Sequence, residues 1–302
     1  MTVDIASAYV PRRQSRSRFI DVRNTRYHLR EWGADTAPLL VMLHGARDTS
    51  ASFQFLVDAL ERDWHVVCPD WRGHGDSGWT PGNYWLTDFL CDLDALLTQQ
   101  FPGRALALLG HSMGGNIAGA YAGLRPERLT HLVILDALGN PLDRSPVRWA
   151  EVLLQLLDEE SSSPQFHSYR DVSEMSLRLM RSNSRHDATR AAFLARAHSR
   201  PLPDGGRAWA WDPAFRKSWP SVHSTEEWAD LWQRITAPVL CLLSSDPRPN
   251  AATSDSDAIR ERSRYFRNLT LRVVPDTGHN VHIDAPSHVA REIEGFTHAE
   301  SC

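Results

Sequence analysis

Short apolar runs that alternate with helix-period segments constrain this chain more than any other feature. Leu39-Leu40-Val41-Met42-Leu43 is continuously apolar. A strand in which every residue is apolar is one buried on both faces of a sheet. Ser52–Leu60 follows, with Phe53, Leu56, Val57 and Leu60 on one helical stripe. The same rhythm repeats. His65–Cys68, Ala105–Leu109, Leu132–Leu135, Val239–Leu243 and Leu269–Val274 read as strands. Thr87–Gln99, the Gly- and Ala-rich Ser112–Leu124, Ser256–Tyr265 and Pro286–Phe296 read as helices. Two segments near the start, Arg18–Val22 and Tyr27–Trp32, read as edge strands of a hairpin turning at Asn24. The pattern predicts an α/β fold, a mostly parallel, doubly wound sheet with helices on both faces.

The alternation stops between about Gly139 and Ser224. Helices are predicted there at Pro146–Leu157, Val172–Met180 and Ala188–His198, and no buried-strand run occurs. Ser224-Thr225-Glu226-Glu227 matches a capping box and opens a helix through Arg234. The chain therefore divides into a first core part (1–138), a helical insertion between two strands (139–224) and a second core part (225–302).

Chemistry concentrates where strands end. Gly110-His111-Ser112-Met113-Gly114 follows one predicted strand and opens a helix. In that setting Gly-x-Ser-x-Gly forms a sharp turn that presents the serine at a helix N-terminus, where partial positive charge favours a developing anion. A serine hydroxyl needs a base, and the base needs an orienting carboxylate. His279, in Thr277-Gly278-His279-Asn280 after the last strand, is the expected base, with His282 as competitor. Asp246, after Val239–Leu243, is the expected acid, and Asp136, ending the strand before the insertion, is the alternative. The backbone amides of Met113 and Ala46 are the expected oxyanion donors. Arg47, His111, Trp149, Trp209 and Trp211 are possible substrate contacts. Six of the 11 tryptophans (Trp149, Trp209, Trp211, Trp219, Trp228, Trp232) fall in or just after the insertion. They suit either an apolar or aryl ligand or the packing of insertion on core.

His44-Gly45, the run from Pro69 to Ser77 (Pro-Asp-Trp-Arg-Gly-His-Gly-Asp-Ser), the serine turn, Pro238–Asp246 and Gly278-His279 together resemble the α/β-hydrolase fold family in order and spacing. The resemblance runs from Arg18 to about Phe296, except for the insertion, which matches the family's helical cap by location. It implies a roof over the active site that sets the substrate. Trp209-Ala210-Trp211-Asp212-Pro213 is similar to a segment in caps of serine-hydrolase-like members. Epoxide- and halogen-removing branches carry Asp where this chain has Ser112, so the resemblance implies acyl transfer to water.

The expected activity is cleavage of a carboxylic ester of an apolar or aryl small molecule. Thioester, lactone, amide or C–C bond cleavage would use the same residues, and a non-catalytic ligand-binding protein on this fold is the alternative from another class. No His/Cys/carboxylate set has metal spacing, and no dinucleotide fingerprint follows the first buried strand, so neither metal nor cofactor is expected. A net charge of -4 gives no basic face for nucleic acid. No run of about 18 apolar residues suggests a membrane span. The cysteines, Cys68, Cys91, Cys241 and Cys302, lack redox or metal spacing, and no leader pattern opens the chain, so a reduced, cytoplasmic setting is expected. Arg12, Arg13, Arg16 and Arg18 are expected on a solvated tail.

Overall fold

The computed structural model describes residues 9–139, 167–216, 225–246 and 256–298, with a few helical positions between 150 and 158. Ten strands are defined among them. β1 (Arg16–Val22) and β2 (Thr25–Trp32) form a hairpin. β3 (Leu39–Leu43), β4 (His65–Pro69), β5 (Leu106–His111), β6 (Leu129–Leu135), β9 (Val239–Ser244) and β10 (Leu269–Val274) complete one eight-stranded sheet in the order β1-β2-β4-β3-β5-β6-β9-β10. The first two pairings, β1 with β2 and β2 with β4, are antiparallel, and the rest are parallel. Every residue of β3, β4, β5 and β9 is buried, which is why these strands read as unbroken apolar runs.

Helices cover both faces. α1 (Gln54–Ala59) and α9 (Pro286–His298) lie on one, over Leu40, Met42, Val66, Leu109 and Leu240. α2 (Leu86–Gln100), α3 (Met113–Leu124), α6 (Thr225–Trp232) and α7 (Ser256–Ser263) lie on the other, over Val41, Leu43, Leu108, Leu132 and Cys241. The short α8 (Val281–Asp284), absent from the sequence expectation, follows the His279 loop.

Between β6 and β9 stand α4 (Val172–Ser182) and α5 (Ala188–Ala197), capped by the Asp171 and Asp187 carboxylates. The purely helical expectation for this stretch is corrected. A hairpin of β7 (Ser199–Pro201) and β8 (Arg207–Trp209) follows α5, its three-residue strands too short to show a two-residue period. The expected helix Pro146–Leu157 lies largely outside the described residues. The insertion is tied to the core by backbone bonds from Gly75 N–H to the Ala210 carbonyl (2.6 Å) and from Asp212 N–H to the Gly73 carbonyl (2.7 Å).

The arginines near the start are not on a solvated tail. The Arg12 and Arg13 amides donate to the Asp58 carboxylate at 3.0 and 2.7 Å, and Arg18 pairs with Glu31 at 2.6 Å. No helix among the described residues is long and apolar enough to cross a membrane.

Candidate active site

The site forms where parallel strands end side by side. β5 ends at His111, and α3 starts at Met113, so the chain must reverse at Ser112. It does so with φ 52° and ψ -121°, a left-handed conformation that a non-glycine residue adopts only under constraint. Glycines make the turn possible. A Cβ at Gly110 would come 2.2 Å from the Gly114 carbonyl oxygen, and a Cβ at Gly114 would come 2.2 Å from that of Leu43. The Ser112 amide donates to the Leu135 carbonyl at 3.0 Å, which ties the turn to the end of β6.

His279 sits on the loop from β10 to α8. Its backbone carbonyl accepts from His111 Nε2–H at 2.9 Å, and the preceding Gly278 amide donates to Asp284 at 2.8 Å. Its Nε2 stands 2.8 Å from Ser112 Oγ, and its Nδ1–H donates to Asp136 Oδ2 at 2.7 Å. The other Asp136 oxygen accepts from the Ser244 amide at 2.8 Å. Asp136 is buried, while the His279 side chain keeps 43% of its surface exposed. A buried carboxylate thus holds an open imidazole against a serine hydroxyl. Such an arrangement can take the serine proton and stabilise the imidazolium that results.

Asp136, the alternative, and not the expected Asp246, is the carboxylate that the structure sets against the His279 ring. Asp246 lies two residues beyond the end of β9. Its amide donates to the Thr277 carbonyl, and its carboxylate faces Arg185 at 3.4 Å. Asp136 is the first residue after β6, and β6 is the strand next to β5, so its carboxylate begins one strand from the serine.

Gly45, Ala46, Arg47 and Asp48, from the loop after β3, line a cavity of about 170 Å³ together with His111, Ser112 and His279. Leu179 and His186 of the α4 region, Leu194 and His198 of the α5 region, and Asn280 and Ile283 after β10 complete its wall. An added Cβ at Gly45 would lie 3.1 Å from Ser112 Cβ, so this loop presses on the serine. The loop is locked by two histidines that sequence reasoning passed over as chemistry. His74 Nε2 accepts from the Arg47 amide at 3.1 Å, and His44 Nε2 accepts from the Trp71 amide at 2.9 Å. Both accept because each Nδ1–H is held by a carbonyl, and burial lowers His44 to about 4 and His74 to about 3. Met113, as the first residue of α3, has an amide with no intrahelical acceptor.

Of the possible substrate contacts, Arg47 and His111 line the cavity, and Trp149 lies outside the described residues. Trp209 and Trp211 stack on each other (centroids 5.1 Å, 6° between planes), and neither belongs to the cavity wall. Trp228 and Trp232 are buried in the core beside α3. The described tryptophans of this region therefore pack protein on protein. Asp48, His186 and His198 carried no local motif. Only the tertiary fold brings them to the serine, and burial pushes the Asp48 carboxyl up to about 7. Asp48, His111 and His282 come close enough to share one cation, a set that no sequence spacing displays.

Residues 38–286 match the sequence model of the alpha/beta hydrolase fold. The chain belongs to the alpha/beta hydrolase fold family. Within that family it is similar to serine hydrolase-like protein 2 of Homo sapiens, 25% identical over 88% of this chain and 88% of the relative. It is also similar to the 3-hydroxybutyrate-oligomer hydrolase of Cupriavidus necator, 28% identical over 90% of this chain and 92% of the relative. The serine hydrolase-like protein of Danio rerio is 35% identical over 109 residues, only 33% of its own length. In three dimensions this alpha/beta hydrolase superposes on the thioesterase domain from the curacin biosynthetic pathway with a TM-score of 0.84. That match is 24% identical and covers 93% of this chain and 99% of that domain. At that identity the likeness supports the fold alone.

Proposed function

We propose that the protein hydrolyses a carboxylic ester of a small molecule through a covalent acyl-enzyme on Ser112. The carrying observation is the unbroken hydrogen-bond path from Ser112 Oγ through the His279 ring to buried Asp136. His279 Nε2 takes the hydroxyl proton as Ser112 Oγ attacks the acyl carbon, and Asp136 stabilises the imidazolium. The alkoxide leaves with that proton. Water then attacks the acyl-enzyme, gives its proton to His279 and releases the acid as the serine regains its hydrogen. The Ala46 and Met113 amides are assigned to the oxyanion, since one borders the cavity and the other opens α3.

Cavity shape narrows the substrate. About 170 Å³ lined by Leu179, Leu194 and Ile283 but also by Asp48, His186, His198 and Asn280 suits a small acyl group that carries a polar substituent. Arg47 stands at the exposed rim, free to meet a substrate carboxylate. The relative from Cupriavidus necator is named for hydrolysing 3-hydroxybutyrate oligomers, and such a short hydroxyacyl ester with a terminal carboxylate suits this pocket. The helical insertion serves as the roof. Two measurements test the reading together. A fluorophosphonate should add once, on Ser112, and a p-nitrophenyl ester series should show fastest turnover with short acyl chains. No adduct and no turnover of any ester or thioester would instead fit a ligand-binding protein.

A further inference from the structure

Three side chains beside His279 form an arrangement that the proposed hydrolytic chemistry does not use. Asp48, His111 and His282 each bring one donor atom within 4.8 Å of the other two. They come from the loop after β3, from the end of β5 and from α8. His111 and His282 are 2% and 0% exposed, and their rings lie 4.5 Å apart.

Neighbouring groups decide what each ring can offer. His111 Nε2–H donates to the His279 carbonyl at 2.9 Å, so Nδ1 of that ring carries the lone pair. His282 Nε2 faces Ser52 Oγ at 3.4 Å. Ser52 gives its own hydrogen to Asp48 at 2.8 Å or to the Thr49 carbonyl at 3.0 Å, so it accepts from His282, and Nδ1 again carries the lone pair. Both Nδ1 atoms are buried and have no hydrogen-bond partner among the described residues. Two partnerless imidazole lone pairs in neighbouring buried rings are costly unless something electropositive meets them. The Asp48 carboxylate is fixed beside them by the Thr49 amide at 2.8 Å and by Ser52. Each prospective ligand is thus oriented by a second hydrogen bond, as the ligands of protein metal sites are.

We propose that Asp48, His111 and His282 bind one divalent transition-metal ion of zinc type, and that this ion suppresses hydrolysis. Two imidazole nitrogens and one carboxylate oxygen suit zinc or cobalt rather than magnesium or calcium. Nitrogen and oxygen donors around a tetrahedral ion stand about 3.4 Å apart, so the side chains must draw in by about an ångström to close on it. His198, whose Nε2 is 3.4 Å from Asp48 and lacks a hydrogen-bond partner, stands ready as a fourth donor. Asp48, His111 and His198 all border the cavity, which gives the ion an entry path. The suppression rests on the catalytic reading of His279. The His111 ring lies 4.8 Å from that of His279 and holds its backbone carbonyl. A dication bound by His111 and Asp48, which line the same cavity as His279, opposes the positive charge that His279 must acquire.

The experiment uses the full chain, stripped with a chelator, then titrated with Co²⁺ and Zn²⁺. Cobalt absorption in the visible and calorimetry with zinc should report one bound equivalent. Zinc should slow ester hydrolysis at least about tenfold, the usual scale of coupling between sites. His282→Gln should weaken binding at least about tenfold and relieve the zinc effect, while turnover without metal stays within a few-fold. If His282→Gln fails to fold, Asp48→Asn carries the same binding test. No stoichiometric uptake, as when a buried water joins the three groups, overturns the site. So does equal binding or equal inhibition in the variants, which would place the ion on His279 and Ser112. Binding is read without substrate, so it stands apart from any failure of the esterase reading.

Discussion

The end of the sheet and the helical insertion build opposite walls of one cavity by different means. On the sheet side, every positioning bond uses at least one backbone group. Ser112 is tied to Leu135, Asp136 to Leu242 and Ser244, and His279 is gripped through its carbonyl by His111. The insertion side meets the site through side chains: Leu179, His186, Leu194 and His198. Its links to the His279 loop are also side-chain bonds, Asn183 to Asp284 at 2.9 Å and Arg190 to the Ile283 carbonyl at 2.8 Å. Reacting groups must be held to fractions of an ångström, and a parallel sheet's register supplies that. A wall that selects a substrate needs only shape, and side chains on helices supply it and change it without disturbing the register.

Substitutions on the two walls should therefore differ in kind. Ser112→Ala should lower kcat for p-nitrophenyl acetate by ~10⁵-fold and abolish the fluorophosphonate adduct, with an unchanged unfolding midpoint. Asp136→Asn should cost ~10⁴-fold in kcat, since the amide no longer fixes the histidine tautomer, and Asp246→Asn should stay within a few-fold. Equal losses in that pair would remove the distinction between the two acids.

The loops under the sheet wall should also show in acid stability. His44 and His74 stay neutral in the native protein down to about 4 and about 3, because both are buried and accept backbone hydrogen bonds. In the unfolded chain they take up protons below about pH 6.5. The unfolded state then binds more protons than the native one, so stability falls as pH drops from 6.5 towards 4. Each contributes a loss of about 2 kcal/mol by pH 5. Urea midpoints at pH 7 and pH 5 check this, and His74→Gln should flatten the difference. The smallest effect belongs to the insertion. Leu179→Ala should widen the acyl pocket and shift the ratio of kcat/KM between hexanoate and acetate esters by ~10-fold, with kcat for acetate nearly unchanged.

Local sequence determined much of this protein. The apolar runs become β3, β4, β5 and β9, because burial on both faces leaves no polar alternation to obscure them. The serine turn was equally legible, since Gly110 and Gly114 are required by contacts within a few residues or with the adjoining strand. The place of His279 followed from its distance past the last strand. Which aspartate meets its ring did not, because Asp136 and Asp246 both follow strands and differ only in where those strands lie. Strand order and the reach beyond each strand's end decide that, and both are properties of the assembled sheet. The same holds for the hairpin β7–β8, too short for a periodic signal, and for Asp48, His111 and His282, which meet across 234 positions of chain. A motif records contacts between neighbours in sequence. Groups brought together by the packing of whole elements leave no such record until the fold is known.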